Sequence, residues 1–420
     1  MDQEISEKPM INETVGNERG VESRSMLAAR WIAAALFMLA LGLMLGLAIM
    51  GVFDLAYAVI ELVWIDWNGI ADVPFFPLIP ATLAGAALTL IASRYGKPER
   101  PMDSMGAAAK EAADEGEGRA AASDGSVGPR RPLPVRIADF LLPFAGGGPV
   151  GVAMGLVGFI MSGCAWAKRR VMSLCGKFGI LGGERDFSKR QKTLLYTIGI
   201  VGGFVGAAAV VELFGLGMVI PRVEAAPISL EAVGIGALVA VAGWVLGLAY
   251  VACAKLAKRL WEHAGKAQRL LPLACGIALG VSMIFLPHVG LPGSDAYSNQ
   301  LIGNWQEVGP AVLIATALVR TVLVAFLLNM GWSGGPFFPI VYCSICLGLG
   351  IAGAFGADAG TCVAAAVGAA LVAFSGQPLM GVAALMCCPV ESIPVIAVAV
   401  VIAAGIPRPK SLKGDFARRR

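Results

Sequence analysis

Apolar stretches of about 20 residues recur along this chain, and that repetition restricts the folds it can adopt. An α-helix of this length crosses a hydrocarbon core of ~30 Å. Hydrophobic residues make up 57% of the 420 residues and charged residues only 15%, more apolar surface than a water-soluble shape can bury. The sequence therefore predicts an all-α, polytopic integral membrane protein that has the lipid bilayer as its partner.

Roughly nine to eleven such stretches can be distinguished, several of them too short or too interrupted to span alone. Pro74, Pro77 and Pro80 fall early in the pattern, so we expect tilted or re-entrant pieces across 54–96 rather than two complete spans. The approximate ranges are 28–52, 54–66, 74–94, 137–165, 194–220, 231–255, 270–287, 308–330, 336–356, 360–376 and 379–404.

Polar segments suggest how the chain is divided. We expect no cleaved signal in the polar, Glu-rich start, and 97–132 has the composition of a solvated, partly disordered linker. Lys and Arg concentrate in 168–170, 255–269 and 408–420, which the positive-inside rule assigns to the cytoplasm. We expect a protein of the cell (inner or plasma) membrane with both termini cytoplasmic. The predicted parts are a tail at 1–27, membrane halves at 28–256 and 268–405, and a basic tail at 406–420.

Each predicted half contains an apolar helix interrupted by Gly and Pro. The first break is FAGGGPVGVAMG at 144–155, and the second is GWSGGPFFP at 331–339. A broken helix leaves N–H groups that hydrocarbon cannot satisfy, and the positive end of the helix dipole lies at the same end. Gly and Pro also serve close packing in membrane helices, but a matched pair of breaks favours a transporter-type site for an anion.

The remaining chemistry-bearing residues predict little else. The nine cysteines lie mostly within apolar runs, and Cys343 and Cys346 form a CxxC that is more typical of small-residue packing than of a metal site. With two histidines and no catalytic Ser/His/Asp set or GxxxxGK[ST] motif, we expect no enzyme activity, no cofactor, no metal and no nucleic-acid partner.

The stretch NMGWSGGPFFPI at 329–340 resembles the GGxFxP motif of the CLC chloride channels and chloride/proton antiporters. QPLMG at 377–381, with Pro394 in the next span, is similar to the family's later PLTG segment, and 286–293 resembles the preceding Pro- and Gly-rich loop. The chain thus resembles a divergent bacterial member of that family. The resemblance implies two inverted-topology repeats whose broken helices meet at mid-bilayer, in a homodimer with one pore per subunit.

The same resemblance implies the anion-binding groups. The family holds its anion by consecutive N–H groups at the x and F positions, but x is Pro336, which has none. Phe337 and Phe338, with Gly335, are then the expected backbone donors. Ser104, in PERPMDSMG at 98–106, lies where the family's GSGIP motif supplies a hydroxyl, although Asp103 and Ser104 also suit a helix N-cap.

The family's gating glutamate, in its GREGP motif, is missing. Aligning the three glycines places it at Ala153, or at Met154 with a shift of one residue, whereas matching Gly148 and Pro149 places it at Gly147. None of these residues is a carboxylate. The family's pore tyrosine would fall around 407–410, where the sequence has none.

Glu212 is a carboxylate within a strongly apolar span, which makes it a candidate for proton handling or gating; an interface or packing role is the alternative. The favoured function is passive chloride conduction, with the anion held by N–H groups and helix dipoles rather than by a buried Arg or Lys. The alternatives are an anion/proton antiporter that uses a displaced acid such as Glu212, and a non-conducting assembly or regulatory homologue.

Overall fold

The computed structural model describes residues 24–66, 75–96, 132–152, 189–214, 220–224 and 229–409. Within these residues the regular structure is helical. The α-helices are α1 (Arg24–Ile60), α2 (Leu78–Tyr95), α3 (Leu133–Ala145), α4 (Lys189–Phe214), α5 (Leu230–His263), α6 (Leu271–Phe285), α7 (Ala296–Gly303), α8 (Trp305–Val308), α9 (Pro310–Asn329), α10 (Phe337–Phe355), α11 (Ala359–Ser375) and α12 (Ile393–Gly405). A π-helical turn follows α1 at Glu61–Asp66, and 3₁₀ segments lie at Gly265–Leu270, Pro287–Val289, Pro378–Met386 and Val390–Ser392.

Seven helical segments of the described residues are long and apolar enough to cross a membrane. Large apolar side chains on them face outward: Phe204, Leu238 and Phe355 expose 73%, 77% and 81% of their surface. Such exposure suits lipid rather than water, and the predicted all-α, polytopic membrane class is confirmed. The segments are Trp31–Asp66, Leu78–Tyr95, Thr193–Leu213, Leu230–His263, Gly265–Phe285, Pro310–Asn329 and Phe337–Phe355.

The beginning of the chain differs from the sequence-based expectation. The stretches predicted at 28–52 and 54–66 form one continuous helix, α1 with its π-helical turn. Pro77 precedes α2 as its N-cap and Pro80 lies in its first turn, where proline is tolerated. The two prolines therefore do not interrupt α2, which is one continuous helix, and a tilted or re-entrant placement in the membrane stays a prediction; Pro74 lies outside the described residues.

The last predicted stretch, 379–404, is not one helix. It is divided into two 3₁₀ segments and α12. Pro389 lies between the 3₁₀ segments, and a proline cannot continue a helical hydrogen-bond ladder.

One compact unit contains α1 up to Met50 and α4 up to Leu213. Its two helices approach through glycines: a Cβ on Gly42 would meet the carbonyl of Gly199, and one on Gly46 would meet the carbonyl of Gly203. This small-xxx-small arrangement lets backbones touch, which is how helices associate when lipid offers no hydrophobic driving force.

The second compact unit comprises Gly51–Ser162 and Phe214–Arg420. The residues of α11 from Gly360 to Ala373 are all buried. α5 packs closely on it, because a Cβ on Gly243 would lie 2.8 Å from the Cα of Ala366. The same core holds α10, whose residues from Pro339 to Gly350 are buried. The division into halves at 28–256 and 268–405 stays a prediction.

Candidate functional site

The first break follows α3 as a tight turn. Gly146 and Gly147 donate to the carbonyls of Leu142 and Phe144, at 2.9 and 3.0 Å, which satisfies the last turn of the helix. Gly147 has φ +70°, a left-handed conformation that glycine adopts without strain. The chain then runs through buried residues to Val152, where helical structure resumes.

The second break separates α9 from α10. Gly331 and Gly334 have φ +103° and +143°, so the connection needs glycine at both positions. The N–H of Trp332 donates to the carbonyl of Leu327 at 3.1 Å and satisfies the end of α9. The chain therefore reverses within a few residues and presents the start of α10.

The two breaks meet. The N–H of Gly151 donates to the carbonyl of Gly335 at 2.7 Å, and the N–H of Gly335 donates back to the carbonyl of Gly151 at 3.0 Å. Both residues are buried, and their pairing is an isolated antiparallel bridge. A break in each predicted half thus pairs with the other, next to the N-terminus of α10.

Two tryptophans cover the glycines of the first break. The indole of Trp332 packs against Gly148, so that a Cβ added to Gly148 would lie 3.0 Å from the ring. The Nε1–H of Trp332 donates to the carbonyl of Pro272 at 3.0 Å. The ring of Trp64 lies against Gly147, and its Nε1–H donates to the carbonyl of Ala145 at 3.1 Å. The rings need the space that a side chain would fill, so both glycines are required sterically, and Gly147 is required for its φ as well.

Phe337 and Phe338 occupy the first two positions of α10. The first hydrogen bond of this helix runs from the Ile340 N–H to the Pro336 carbonyl at 3.0 Å. The N–H groups of Phe337 and Phe338 therefore precede the helical ladder and have no intrahelical acceptor. The positive end of the helix dipole adds to them, which makes this end suitable for an anion.

Gly335 requires a correction. Its N–H was expected to be an anion donor, but it is engaged by Gly151. Phe337 and Phe338 remain as the predicted backbone donors of the second break. Of the other predicted positions, Ser104, Ala153 and Met154 lie outside the described residues, and Gly147 forms the turn described above.

Glu212 lies within the candidate membrane span Thr193–Leu213. It lies in the last turn of α4, and its side chain is exposed rather than buried. A role for Glu212 in proton handling or gating, or in an interface or packing, stays a prediction.

Sequence analysis missed another acid, Asp54. Both of its carboxylate oxygens are shielded from solvent and have no hydrogen-bond partner. It lies within the Trp31–Asp66 span, one turn before Tyr57, whose hydroxyl pairs with the Ser294 hydroxyl at 2.8 Å. A lone acid in an apolar run was the available signal.

A buried arginine was also missed, although the preferred mechanism was expected to use none. Arg320 is fully buried within α9. It donates to the carbonyls of Gly290 and Leu291 at 2.8 and 2.6 Å. The N–H of Leu291 in turn donates to the carbonyl of Gly147 at 2.8 Å. The first break is thus connected to a buried cation, and the signal was again a single charge within a 20-residue apolar helix.

Known proteins resemble this chain in both sequence and fold. The family model described as voltage gated chloride channel matches residues 157–408, more than half of the chain. The chain belongs to the voltage-gated chloride channel, or CLC, family. A search of curated protein sequences gave no match.

Solved structures share the fold of this CLC protein at low sequence identity. A slow cyanobacterial Cl−/H+ antiporter matches with a TM-score of 0.61 and 17% identity, over 89% of this chain and 93% of that chain. A eukaryotic CLC transporter gives 0.59 and 15%, over 90% and 72%. A CLC-type fluoride/proton antiporter gives 0.57 and 13%, over 89% and 95%.

Proposed function

We propose that this CLC protein conducts chloride passively across the cell membrane, past the junction of its two helix breaks. The observation that carries the proposal is the mutual hydrogen bonding of Gly151 and Gly335 beside the start of α10. It brings both breaks to one place, where the N–H groups of Phe337 and Phe338 have no intrahelical acceptor. A homodimer with cytoplasmic termini is part of the proposal.

Backbone donors suit conduction because they replace part of the hydration shell without holding the ion too strongly. An anion at a helix N-terminus meets about half a unit of positive charge and N–H dipoles. Weak coordination at several sites permits exit as well as entry. Pro336 reduces the donor number further, since it has no N–H.

Passive conduction is favoured because no carboxylate stands at the position of the family's gate. Ala153, Met154 and Gly147, the three aligned candidates, carry no acid. Nothing at these positions takes up a proton as an anion leaves, so coupling requires an acid elsewhere.

Anion/proton antiport is the second candidate, and Asp54 is the observation that favours it. An ionised carboxylate with both oxygens shielded and unpartnered inside a membrane span is costly, so Asp54 is expected to hold a proton at rest, as an acid that takes part in proton transport does. Two of the solved structures that share this fold are named as antiporters. Asp54 therefore joins Glu212 as an acid to test.

The test is flux through purified protein in liposomes. Chloride-loaded vesicles are given a potassium ionophore, and chloride and proton movements are recorded together. Passive conduction predicts chloride release without proton movement, and no uphill chloride uptake when a pH gradient is applied. Proton-driven uptake would favour antiport. Empty vesicles are the control, and absence of chloride, nitrate and fluoride flux would reject transport in favour of a non-conducting role.

A further inference from the structure

A buried cation and a buried anion both hold one loop: the cation is Arg320 in α9, and the anion is Asp295 at the end of the loop itself. Residues 288–295, here the bridging loop, precede α7 and are buried from Val289 to Asp295. Arg320 and Asp295 are 0% and 2% exposed. Among the described residues, these two charges form no direct ion pair; the two terminal nitrogens of Arg320 and the carboxylate of Asp295 bond to the loop and its flanks, while Nε of Arg320 has no partner. Such burial of separated charges is costly, so the arrangement needs a reason.

Arg320 holds the carbonyl side of the bridging loop. Its guanidinium donates to the carbonyls of His288, Gly290 and Leu291 at 3.1, 2.8 and 2.6 Å. The guanidinium carbon also lies 4.2 Å from the ring centre of Tyr342 in α10. The rigid fork of an arginine suits several carbonyls at fixed positions better than a lysine does.

Asp295 holds the amide side. Its carboxylate accepts the N–H of Gly293 at 3.1 Å, and both the N–H and the hydroxyl of Ser298 at 2.8 and 2.7 Å. The loop therefore directs three carbonyls towards the cation and the N–H of Gly293 towards the anion, which also caps the N-terminus of α7. The peptide groups of the loop thus lie between Arg320 and Asp295, and their dipoles stabilise both charges although the two side chains form no ion pair.

Leu291 is the point where this loop reaches the site. It has φ +65°, which makes it the one non-glycine residue with positive φ among the described residues. Such a conformation persists only where the surroundings fix it. Its carbonyl is held by Arg320, while its N–H donates to Gly147 in the first break.

We propose that Arg320 and Asp295 are positioning residues for anion transport, because together they clamp the bridging loop and so fix the first break through Leu291 and Gly147. The second break is then fixed through Gly151 and Gly335. This inference rests on the proposed transport function for its effect on anions, but the clamp itself is a separate property.

The sign of the effect separates a clamp from a direct electrostatic role. If Arg320 simply attracted anions, Arg320→Gln would weaken chloride binding and Asp295→Asn would strengthen it. A clamp predicts that both weaken it, because either change releases the same loop. Loss of one charge-assisted hydrogen bond corresponds to about a ten- to 150-fold effect.

The experiment measures the chloride concentration dependence of flux and the chloride-to-nitrate ratio in liposomes for Arg320→Lys, Arg320→Gln and Asp295→Asn. All three variants should need more chloride for half-maximal flux, and their chloride-to-nitrate ratios should change in the same direction. Thermal unfolding is recorded for each variant as well. Arg269→Gln and Glu262→Gln change exposed charges of the same kind and should leave flux unchanged. Opposite shifts for the Arg320 and Asp295 variants would overturn the clamp.

Hydrogen exchange tests the clamp without any flux. The folded variants should exchange amides of the bridging loop about tenfold faster than the wild type, while α11 stays unchanged. If the wild type does not transport, the proposed function fails and this measurement still decides on the clamp. Unchanged exchange in both Arg320→Lys and Asp295→Asn would reject it, even if Arg320→Gln does not fold.

Discussion

Gly151 and Gly335 donate a backbone hydrogen bond to each other, at 2.7 and 3.0 Å, and so join the two helix breaks of this CLC protein. Neither residue has a side chain that would keep the two backbone segments apart. The pairing uses the Gly335 N–H and leaves the first two residues of α10 as the predicted anion donors.

Gly334→Ala should disrupt this junction. Gly334 has φ +143°, and an added Cβ would lie 2.6 Å from the Cβ of Val150. We expect a cost of about 2–4 kcal/mol and at least a tenfold loss of chloride flux. Thermal unfolding and liposome flux measure the two effects. Gly234→Ala, in α5 with open space around it, is the matched control and should be neutral or slightly stabilising.

Pro336→Ala should strengthen anion binding. Pro336 has φ −85° and ψ −14°, which alanine adopts without strain, and the change adds an N–H next to those of Phe337 and Phe338. One further hydrogen bond predicts an affinity about fivefold higher and slower release at low chloride. Titration of chloride into purified protein measures it. Pro310→Ala, at the start of α9, is the control, and equal affinities in the two variants would contradict the donor role.

The membrane class and both breaks were visible in the sequence because Gly and Pro interrupt otherwise apolar runs. The pairing of Gly151 with Gly335 was not, because it depends on how distant segments pack. For the same reason the family motif suggested a free Gly335 donor. Asp54 and Arg320 were visible in the sequence as single charges within apolar runs. Their partners were not, because these depend on the tertiary structure: Arg320 bonds to the loop at Leu291, whereas the Asp54 carboxylate has no partner.

Asp54→Asn should remove any proton dependence of the chloride flux. Its carboxylate oxygens are shielded and unpartnered, whereas Asn keeps the shape and cannot carry a proton. Glu212→Gln, with its exposed side chain, should leave both flux and proton dependence unchanged. The measurement is chloride uptake driven by a pH gradient. The assignment is reversed if Glu212→Gln, and not Asp54→Asn, abolishes that uptake.

Gly42→Ala should weaken the packing of α1 on α4. The added Cβ would meet the carbonyl of Gly199, and backbone atoms cannot move away as a side chain does. We expect a destabilisation of about 1–3 kcal/mol, measured as a lower thermal unfolding midpoint in detergent. Gly51→Ala changes the same helix where nothing lies within 4 Å, so it should be neutral or stabilising. Similar losses in both would argue against close packing at Gly42.

His288 should make the stability of the bridging loop depend on pH. Burial and the charge of Arg320 lower the pKa of His288, whose ring stacks on Tyr297 with centres 5.7 Å apart. The folded pKa lies below the unfolded value of about 6.5, so the stabilisation is complete above that pH and is lost as the pH falls through the folded pKa. Protonation would place a second cation beside Arg320.

We expect the thermal unfolding midpoint of the wild type to decrease when the pH is lowered below about 6.5, and this decrease to be smaller in His288→Gln. His263→Gln, exposed at the end of α5, is the control and should follow the wild type. An identical pH profile for His288→Gln and the wild type would show that protonation of His288 does not affect the stability.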